Sequence, residues 1–208
     1  MRPILFNTDM VRAILSGSKT VTRRICRDAN KLTVPLSDTI DHNARTYTIE
    51  GINEDGITQY LAERRMPYAA GDILWVRETW ARVAPDIYAY KADNDRKVPR
   101  WHPSIHMPRE AARLFLRVTD VRLERLREIS EEQAQREGIW LQHEDFIPAY
   151  HYRKAELPGD GWKTAGSAFA ALWNSTVRPQ ERGQYGWAAN PWVWVIEFEK
   201  TDAEEDTE

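Results

Sequence analysis

A cluster of chemically active side chains lies in residues 17–24 of the sequence. There, hydroxyls, a lysine and two arginines follow at once after Gly17, a residue type that commonly ends a helix. The chain carries 22 Arg against 7 Lys, and arginine is suited to planar, bidentate recognition of phosphates and base edges. The segment therefore indicates a binding or reaction centre, although a solvated basic surface has the same composition. The candidate residues are Lys19, Thr20, Thr22, Arg23 and Arg24.

A second candidate is Glu137, in the sequence Ala134-x-x-Glu137-Gly138. A capping box at Ser130 predicts a short helix that stops at Gly138. A carboxylate in the last turn of that helix meets the negative end of the helix dipole, which costs about 0.3–1 kcal/mol. Glu137 either faces water, pairs with Arg136 or a neighbouring strand, or meets a cation or a substrate donor that offsets this cost.

Other kinds of site find less support in the sequence. His102 and His106 have the spacing of metal ligands only on a helix, and Pro103 and Pro108 disfavour a helix there. There is no phosphate-binding glycine loop and no Gly-x-Ser-x-Gly elbow. Cys26 stands alone, and a lone cysteine is more often a small buried apolar residue than a nucleophile. We expect no metal and no cofactor.

Strands and short helices alternate irregularly along the chain, which favours an α+β fold built on a small mixed or antiparallel β-barrel. Helices are expected at the rim, over residues 9–16, with an N-cap at Asn7-Thr8-Asp9, and over residues 131–137. A further helix is expected over Ala165–Trp173, with Phe169, Leu172 and Trp173 on one face. Long loop insertions are expected over about 28–70, with a hairpin around Tyr47–Ile57, and over about 85–108. Four strands are expected in one curved, predominantly antiparallel sheet: 19–25, 72–80, 114–123 and 192–199.

The bulk composition predicts a globular cytoplasmic protein with one domain over residues 1–200. No segment has the roughly 20 apolar residues of a membrane span, and a single cysteine fits a reducing compartment. The net charge is −3, but five acidic residues lie in the tail 201–208, and the body alone carries +2. We expect the tail to be disordered, since it has no apolar face.

Three stretches together resemble the ASCH domain, a family with a PUA-like β-barrel. They are Gly17-Ser18-Lys19-Thr20-Val21-Thr22-Arg23-Arg24, the turn Gly71-Asp72, and Ala134-Gln135-Arg136-Glu137-Gly138. Further stretches are similar to the longer, phage- and prophage-associated branch of the family: residues 76–80, 103–108 and 190–194. The resemblance covers most of the chain between Pro3 and Lys200, and the three motifs occur in the family's order.

The resemblance implies an activity. Small bacterial members are amidohydrolases that remove the acyl group from the exocyclic nitrogen of N-acylated cytidine. Their catalytic residues fall here on Lys19, Thr22 and Glu137. We expect the substrate-binding residues to be Thr20, Arg23, Arg24, Trp75 and Glu78. The expected partner is a modified cytosine nucleoside or RNA, with neither a membrane nor a metal involved. The chain differs from the small enzymes in having these insertions and an acidic tail. Both bear on the size of the substrate and on its access to the pocket.

This chemistry makes a demand on local structure. A threonine hydroxyl becomes a nucleophile when a base takes its proton, and a desolvated lysine serves as that base once its pKa falls. Lys19 and Thr22 are three residues apart, so in an extended strand they would face opposite sides. They converge only if residues 17–20 form a turn before the strand begins.

Other family members bind or cleave RNA, so an RNA-binding module that reads a base is the alternative, and a ribonuclease is the third candidate. A polar loop without catalysis is also compatible with the residues. A binding module needs the arginines but has no need of a nucleophile and base. The combination of Lys19, Thr22 and Glu137 is therefore the feature that favours an enzyme.

The disordered tail gives a first prediction. Truncation after Thr201 should leave the melting temperature nearly unchanged, because a disordered segment buries nothing. Thermal unfolding followed by circular dichroism measures this. A melting temperature lowered by several degrees would show that the tail packs on the body.

Overall fold

The computed structural model describes residues 1–31, 34–52, 55–93, 98, 100–142, 149–152 and 161–202. Within them the chain is a mixed α+β structure, made mostly of strands in several sheets with a few short helices. In chain order these elements are β1 (Arg2–Leu5), α1 (Thr8–Leu15), β2 (Val21–Ile25), β3 (Val34–Asp41), β4 (Thr46–Ile52), β5 (Thr58–Arg65), β6 (Ile73–Arg77), β7 (Trp80–Ala84), β8 (Ile87–Tyr90), β9 (Phe115–Arg125), α2 (Glu131–Arg136), β10 (Trp140–Gln142), β11 (Ala149–His151), α3 (Ala165–Thr176), α4 (Arg182–Tyr185) and β12 (Trp192–Thr201).

The main sheet has five strands in the order β1-β6-β9-β12-β2. The β6–β9, β9–β12 and β12–β2 pairs are antiparallel, and β1–β6 is parallel. The four strands predicted from sequence all lie in this sheet, so that prediction is confirmed. The sequence analysis missed β1, which adds a parallel edge. The helices α1 and α2 match the two predicted rim helices to within one residue at each end.

Both faces of the main sheet are buried, as alternation along β12 illustrates. Val193 and Val195 pack in a cluster with the helix residues Phe169 and Leu172, whereas the side chain of Trp194 belongs to the opposite face. Burial on both faces explains why the first half of β12, Trp192–Ile196, is apolar at every position, since an outward polar face is needed only where a sheet meets water. The helix α3 thereby covers one face of the sheet.

The prediction of a long loop over residues 28–70 was wrong. Residues 34–65 form a three-stranded antiparallel sheet, β3-β4-β5, in which Tyr47 and Ile49 are buried against the core. The predicted hairpin is its β4–β5 pair, and residues 53 and 54 of the predicted turn lie outside the described residues. Along β4, buried residues alternate with more exposed ones, which is the signal behind the predicted hairpin, and the pairing register shifts once with each neighbouring strand.

The second predicted insertion also contains strands. Residues 85–108 include β8, which forms an antiparallel hairpin with β7. Further along the chain, β10 and β11 form a small two-stranded sheet. The acidic tail from residue 203 onward lies outside the described residues. No helix among the described parts of the chain is long and apolar enough to cross a membrane.

The two edges of the main sheet are joined by a side chain. Strand pairing in the described part of the chain does not join β1 to β2, so the sheet is not closed into a barrel by backbone hydrogen bonds. Instead, Arg24 on β2 donates from Nη2 to the carbonyl oxygen of Leu5 on β1, at 3.0 Å. The sheet is therefore curved enough to bring its edges within one side chain's reach.

A turn connects α1 to β2 and places both beside the end of α2. Gly17 adopts φ +80° directly after α1. The next residues are held from both helices, because the Lys19 amide donates to the Ala13 carbonyl at 3.0 Å and the Thr20 amide donates to the Arg136 carbonyl at 2.9 Å. The chain turns at Ser16 and Gly17, Lys19 then forms an isolated antiparallel bridge with Glu137, and β2 begins at Val21.

Gly138 is the point where this turn and α2 approach most closely. It has φ +98°, and a Cβ there would lie 3.0 Å from the Cβ of Ala13 and 3.5 Å from that of Lys19. Gly17 has a similar φ of +80°, but a Cβ there would meet nothing within 4 Å. Substitution of Gly17 by alanine therefore tests backbone strain alone, whereas the same substitution at Gly138 tests backbone strain and steric contact together.

This pair gives a second prediction. Gly17→Ala should lower the free energy of unfolding by about 1–2 kcal/mol, through the left-handed backbone alone. Gly138→Ala should lower it by a further 1–3 kcal/mol or so, because the added methyl overpacks the contact with Ala13. Urea denaturation of both variants measures the difference. Equal losses would mean that α1 and α2 separate freely at this point.

Candidate functional site

Lys19 is the centre of a buried ion cluster. Its side chain is 0% exposed, and Nζ donates to the carboxylate Oε2 of Glu137 at 2.6 Å. Nζ also donates to the carbonyl oxygens of Glu137 and Val21, both at 2.8 Å. An ammonium group has three donors, and all three are satisfied here. The Val21 carbonyl belongs to the residue directly before Thr22, the predicted nucleophile.

Glu137 is shared between two cations. Its side chain is only 3% exposed, and its second oxygen, Oε1, accepts from Arg23 Nη1 at 3.1 Å. Glu137 follows the last turn of α2, and Lys19 binds both its carboxylate and its backbone carbonyl. Lys19 is thus the cation that offsets the unfavourable helix-end position of Glu137.

Arg23 connects the cluster to β9 and α2. Besides Glu137, its guanidinium donates from Nη2 to Gln133 at 3.0 Å and to Glu124 at 3.3 Å. The guanidinium carbon also lies 5.8 Å from the ring centroid of Phe169 on α3. Its Nε atom is buried and finds no hydrogen-bond partner among the described residues. A buried donor without a partner is costly, so a ligand that accepted from it would relieve that cost.

Thr22 and Arg24 lie one residue to either side of Arg23 on β2. Arg24 Nη1 donates to the Thr22 hydroxyl oxygen at 2.7 Å, and its guanidinium carbon lies 5.2 Å from the ring centroid of Phe6. The hydroxyl oxygen of Thr22 therefore already receives one charged hydrogen bond. Such a contact stabilises negative charge that develops on the oxygen.

A cavity of about 500 Å³ opens on this cluster. Thr22, Arg23, Arg24 and Glu137 line it, whereas the side chain of Lys19 lies immediately behind Glu137 and outside the lining. This volume is in the range of small-molecule sites. The other walls come from the end of β1 and the start of α1, from α3, and from the loop segments that follow β6 and β8.

Burial changes the protonation of Lys19. Complete desolvation lowers the pKa of its amine below the ordinary value of 10.5, and the positive charges of Arg24 and Arg23 lower it further. The carboxylate of Glu137 opposes this by raising the pKa. The net direction is downward, which increases the fraction of neutral amine at a given pH.

Three of the residues predicted to bind substrate do not line the cavity. The Thr20 hydroxyl accepts from Arg136 Nε at 3.1 Å. Glu78 is buried in a bidentate ion pair with Arg113, at 2.8 and 3.1 Å. Trp75 lies on β6, where its ring is 5.4 Å from the guanidinium carbon of Arg77. The structure thus brings together Lys19, Thr22, Glu137 and the two arginines, and leaves these three apart.

Several residues of the cavity were not identified from sequence. Thr79 and Ser104 line it, and both fall within the stretches that resemble the longer family branch, so their position in those motifs was an available signal. Phe6 and Asn7 precede α1 and gave no such signal. The α3 residues Phe169, Leu172 and Trp173 were predicted as one apolar face, but their partner was not.

The described parts of the chain contain no group of three or more His, Cys, Asp or Glu residues arranged to hold a metal ion. Comparison of the chain with models of known protein families, with curated proteins and with solved structures finds no match. The resemblance to the ASCH domain therefore rests on the three sequence motifs, and the geometry around Lys19 is the independent basis for a functional proposal.

The lowered pKa of Lys19 gives a third prediction. The unfolded chain binds a proton that the folded chain has lost at any pH between the lowered pKa and 10.5, so the contribution of Lys19 to stability rises with pH across that window. In Lys19→Met this rise is absent. The difference in unfolding free energy between wild type and variant should therefore grow in favour of the wild type up to about pH 10.5.

Urea denaturation at several values between pH 7.5 and 10.5 measures this difference. The tyrosines with raised pKa values, Tyr47, Tyr68 and Tyr90, are present in both proteins and cancel in the comparison. A difference that stays constant with pH would mean that Lys19 keeps an ordinary pKa despite its burial.

Proposed function

We propose that the protein is a metal-independent amidohydrolase that removes the acyl group from the exocyclic nitrogen of an N-acylated cytosine nucleoside. The observation that carries the proposal is the fully buried Lys19–Glu137 pair, in which Glu137 lines a cavity of about 500 Å³ together with Thr22 and Lys19 binds the carbonyl of Val21, the residue before Thr22. Burying an ammonium ion costs several kcal/mol even when it is paired. A pocket that only binds a ligand has no need of this arrangement, whereas a reaction that moves a proton does.

In the proposed reaction, the Thr22 oxygen attacks the acyl carbonyl carbon and its proton passes to the neutral amine of Lys19. To accept it, Nζ releases the Val21 carbonyl, which is the acceptor nearest to Thr22 in the chain. Glu137 holds the amine throughout and stabilises its protonated form. The lowered pKa of Lys19 supports this role, because a base needs its unprotonated form near neutral pH.

The carbonyl oxygen becomes an oxyanion in this step, and the free Nε–H of Arg23 is a donor for it. When the intermediate collapses, the C–N bond breaks and the departing amine takes the proton from Lys19. The acyl group is left as an ester on Thr22. Water then hydrolyses the ester, with Lys19 again as base, and the products are the nucleoside and a carboxylic acid.

We also propose that the fold is a PUA-like barrel of the ASCH family. Support comes from the curvature of the main sheet, whose edge strands β1 and β2 are bridged by the hydrogen bond from Arg24 to Leu5. The residues of the three motifs add to this. Gly138 approaches the Lys19 Cβ position closely, and Asp72 accepts a hydrogen bond from the Ala69 amide at 2.9 Å to form the turn into β6.

The second candidate is a module that binds RNA and reads one base in this cavity. What favours it is that Lys19 has its three donors satisfied and that the Thr22 oxygen already accepts from Arg24. A cluster of this kind also functions as rigid support for two arginines beside an aromatic wall. In that case the arginines determine affinity, and the binding weakens strongly with salt.

Turnover of a panel of acylated cytidines gives a fourth prediction. The wild type should release cytidine, and a strong chelator should not reduce the rate. Thr22→Ala and Lys19→Ala should each lower turnover by orders of magnitude, about 10²–10⁴-fold, and the double variant should be scarcely worse, because the two residues act as one unit. Thr22→Ser should retain partial activity. Chromatography of the products measures all of these rates.

Ser18→Ala is the matched control, because Ser18 is an exposed hydroxyl in the same loop that does not line the cavity. It should leave turnover unchanged. Labelled RNA, incubated in parallel, should remain intact. Full activity of Lys19→Ala would end the proposed mechanism. If no acylated cytidine is hydrolysed, and RNA binding depends on Arg23 and Arg24 but not on Thr22, the binding module is the correct function.

A further inference from the structure

The wall that α3 contributes to the cavity is made mostly of apolar side chains, and the polar atoms it contains form hydrogen bonds within the protein. Its polar atoms are engaged within the protein: Trp173 Nε1 donates to the Tyr185 carbonyl at 2.7 Å, and the Thr176 hydroxyl donates to the Trp173 carbonyl at 2.8 Å. A ligand therefore meets ring faces and methyl groups on this side. The residues of the α3 wall are Phe169, Leu172, Trp173, Thr176 and Val177.

The polar groups of the cavity are on its other walls. Thr22, Arg23, Arg24 and Glu137 lie on and beside β2, and the Arg23 guanidinium reaches the Phe169 end of the α3 wall. Asn7, Thr79 and Ser104 come from the chain segments that follow β1, β6 and β8. A pyrimidine edge and a sugar carry donors and acceptors that cost about 1–3 kcal/mol each when they are buried without partners. The nucleoside part of a substrate is therefore matched to these walls, and the α3 wall is left for the part of the substrate that has no polar atoms.

In an N-acylated nucleoside that part is the acyl chain beyond the carbonyl carbon. We propose that the α3 wall is an acyl-binding pocket and that the enzyme selects acyl groups longer than acetyl, such as medium alkyl chains or an aromatic ring. An acetyl group offers one methyl, which would leave most of the wall uncovered. This inference rests on the proposed function, because it takes the reacting carbonyl to lie at Thr22.

The expected selectivity follows from burial of hydrocarbon. Each methylene that moves from water onto the wall contributes enough to raise affinity about fourfold. Affinity should therefore rise by at least about tenfold from a one-carbon to a four-carbon substituent, and it should level off once the wall is covered. In a series of acylated cytidines, kcat/KM should follow the same trend from acetyl to hexanoyl.

The test uses cytidines that carry a methyl, butyl or hexyl group on the exocyclic nitrogen. These compounds have no acyl carbonyl and cannot be hydrolysed, so calorimetry on the full chain reports binding alone. Thr176→Trp places a large side chain on the wall at an exposed position, and it should remove the gain from methyl to hexyl. Turnover of acetylcytidine and hexanoylcytidine is measured alongside.

Ser175→Trp is the matched control. Ser175 is the neighbouring exposed residue, its hydroxyl donates to the carbonyl of Leu172 in the same helix, and it does not line the cavity. This variant should keep the full chain-length dependence. Loss of the dependence in both tryptophan variants would place the alkyl chain elsewhere and overturn the assignment of the pocket to α3.

The two proposals fail in different ways. If acylated cytidines are hydrolysed but methyl and hexyl compounds bind equally, the acyl pocket is overturned and the hydrolase stands. If the hexyl compound binds more tightly but no acylated cytidine is hydrolysed, the apolar pocket stands as a binding site and the hydrolase is overturned. If the compounds neither bind nor react, both are overturned.

Discussion

The complete burial of the Lys19 ammonium is the constraint on which the local structure depends. A charge removed from water has to be surrounded by acceptors, because its desolvation costs several kcal/mol. Here those acceptors come from the end of α2 and from the start of β2. The left-handed turn after α1 and the missing side chain at Gly138 both serve this packing, since each lets the chain approach closely enough for the three contacts.

The same cluster gives the site its electrostatic character. Lys19, Arg23 and Arg24 place three positive charges around the single carboxylate of Glu137, and Glu124 adds a second carboxylate further out. The excess positive charge favours ligands that present carbonyl oxygens or develop negative charge. Burial lowers the pKa of Lys19, and the positive charges of Arg24 and Arg23 lower it further. The same arrangement of charges therefore serves both ligand binding and proton transfer.

The predictions that the structure confirms came from local sequence patterns. The cap at Asn7 accepts a hydrogen bond from the Met10 amide, and the capping box at Ser130 forms as the sequence indicated. Among the strands of the main sheet, β6 was predicted from consecutive apolar residues, β9 and β12 from alternation, and β2 from its β-branched residues. In the sheet β3-β4-β5 the β4–β5 hairpin was predicted, whereas β3 was missed because its sequence contains Pro35, Asp38 and Asp41, residue types that are uncommon in strands.

The geometry of the site was only partly predictable, since its contacts join distant parts of the chain. The motifs brought attention to Lys19 and Glu137, but no pattern indicated that Arg23 would bind Gln133 and Glu124, which are 110 and 101 residues away. The apolar face of α3 was evident from its spacing. The role of this face as one wall of the cavity depends on how the helix packs over the sheet. The spacing of residues along one helix does not contain that information.

The position of β2 in the sheet has a consequence for how the protein folds. This strand carries Thr22, Arg23 and Arg24, and its strand partner is β12, which is made last of the described strands. The ion pair between Lys19, just before β2, and Glu137 likewise joins residues that are 118 positions apart. Contacts this distant in sequence form slowly, because a long loop must be closed before they contribute energy. The site is therefore assembled late, and a chain interrupted before β12 leaves β2 without a strand to pair with.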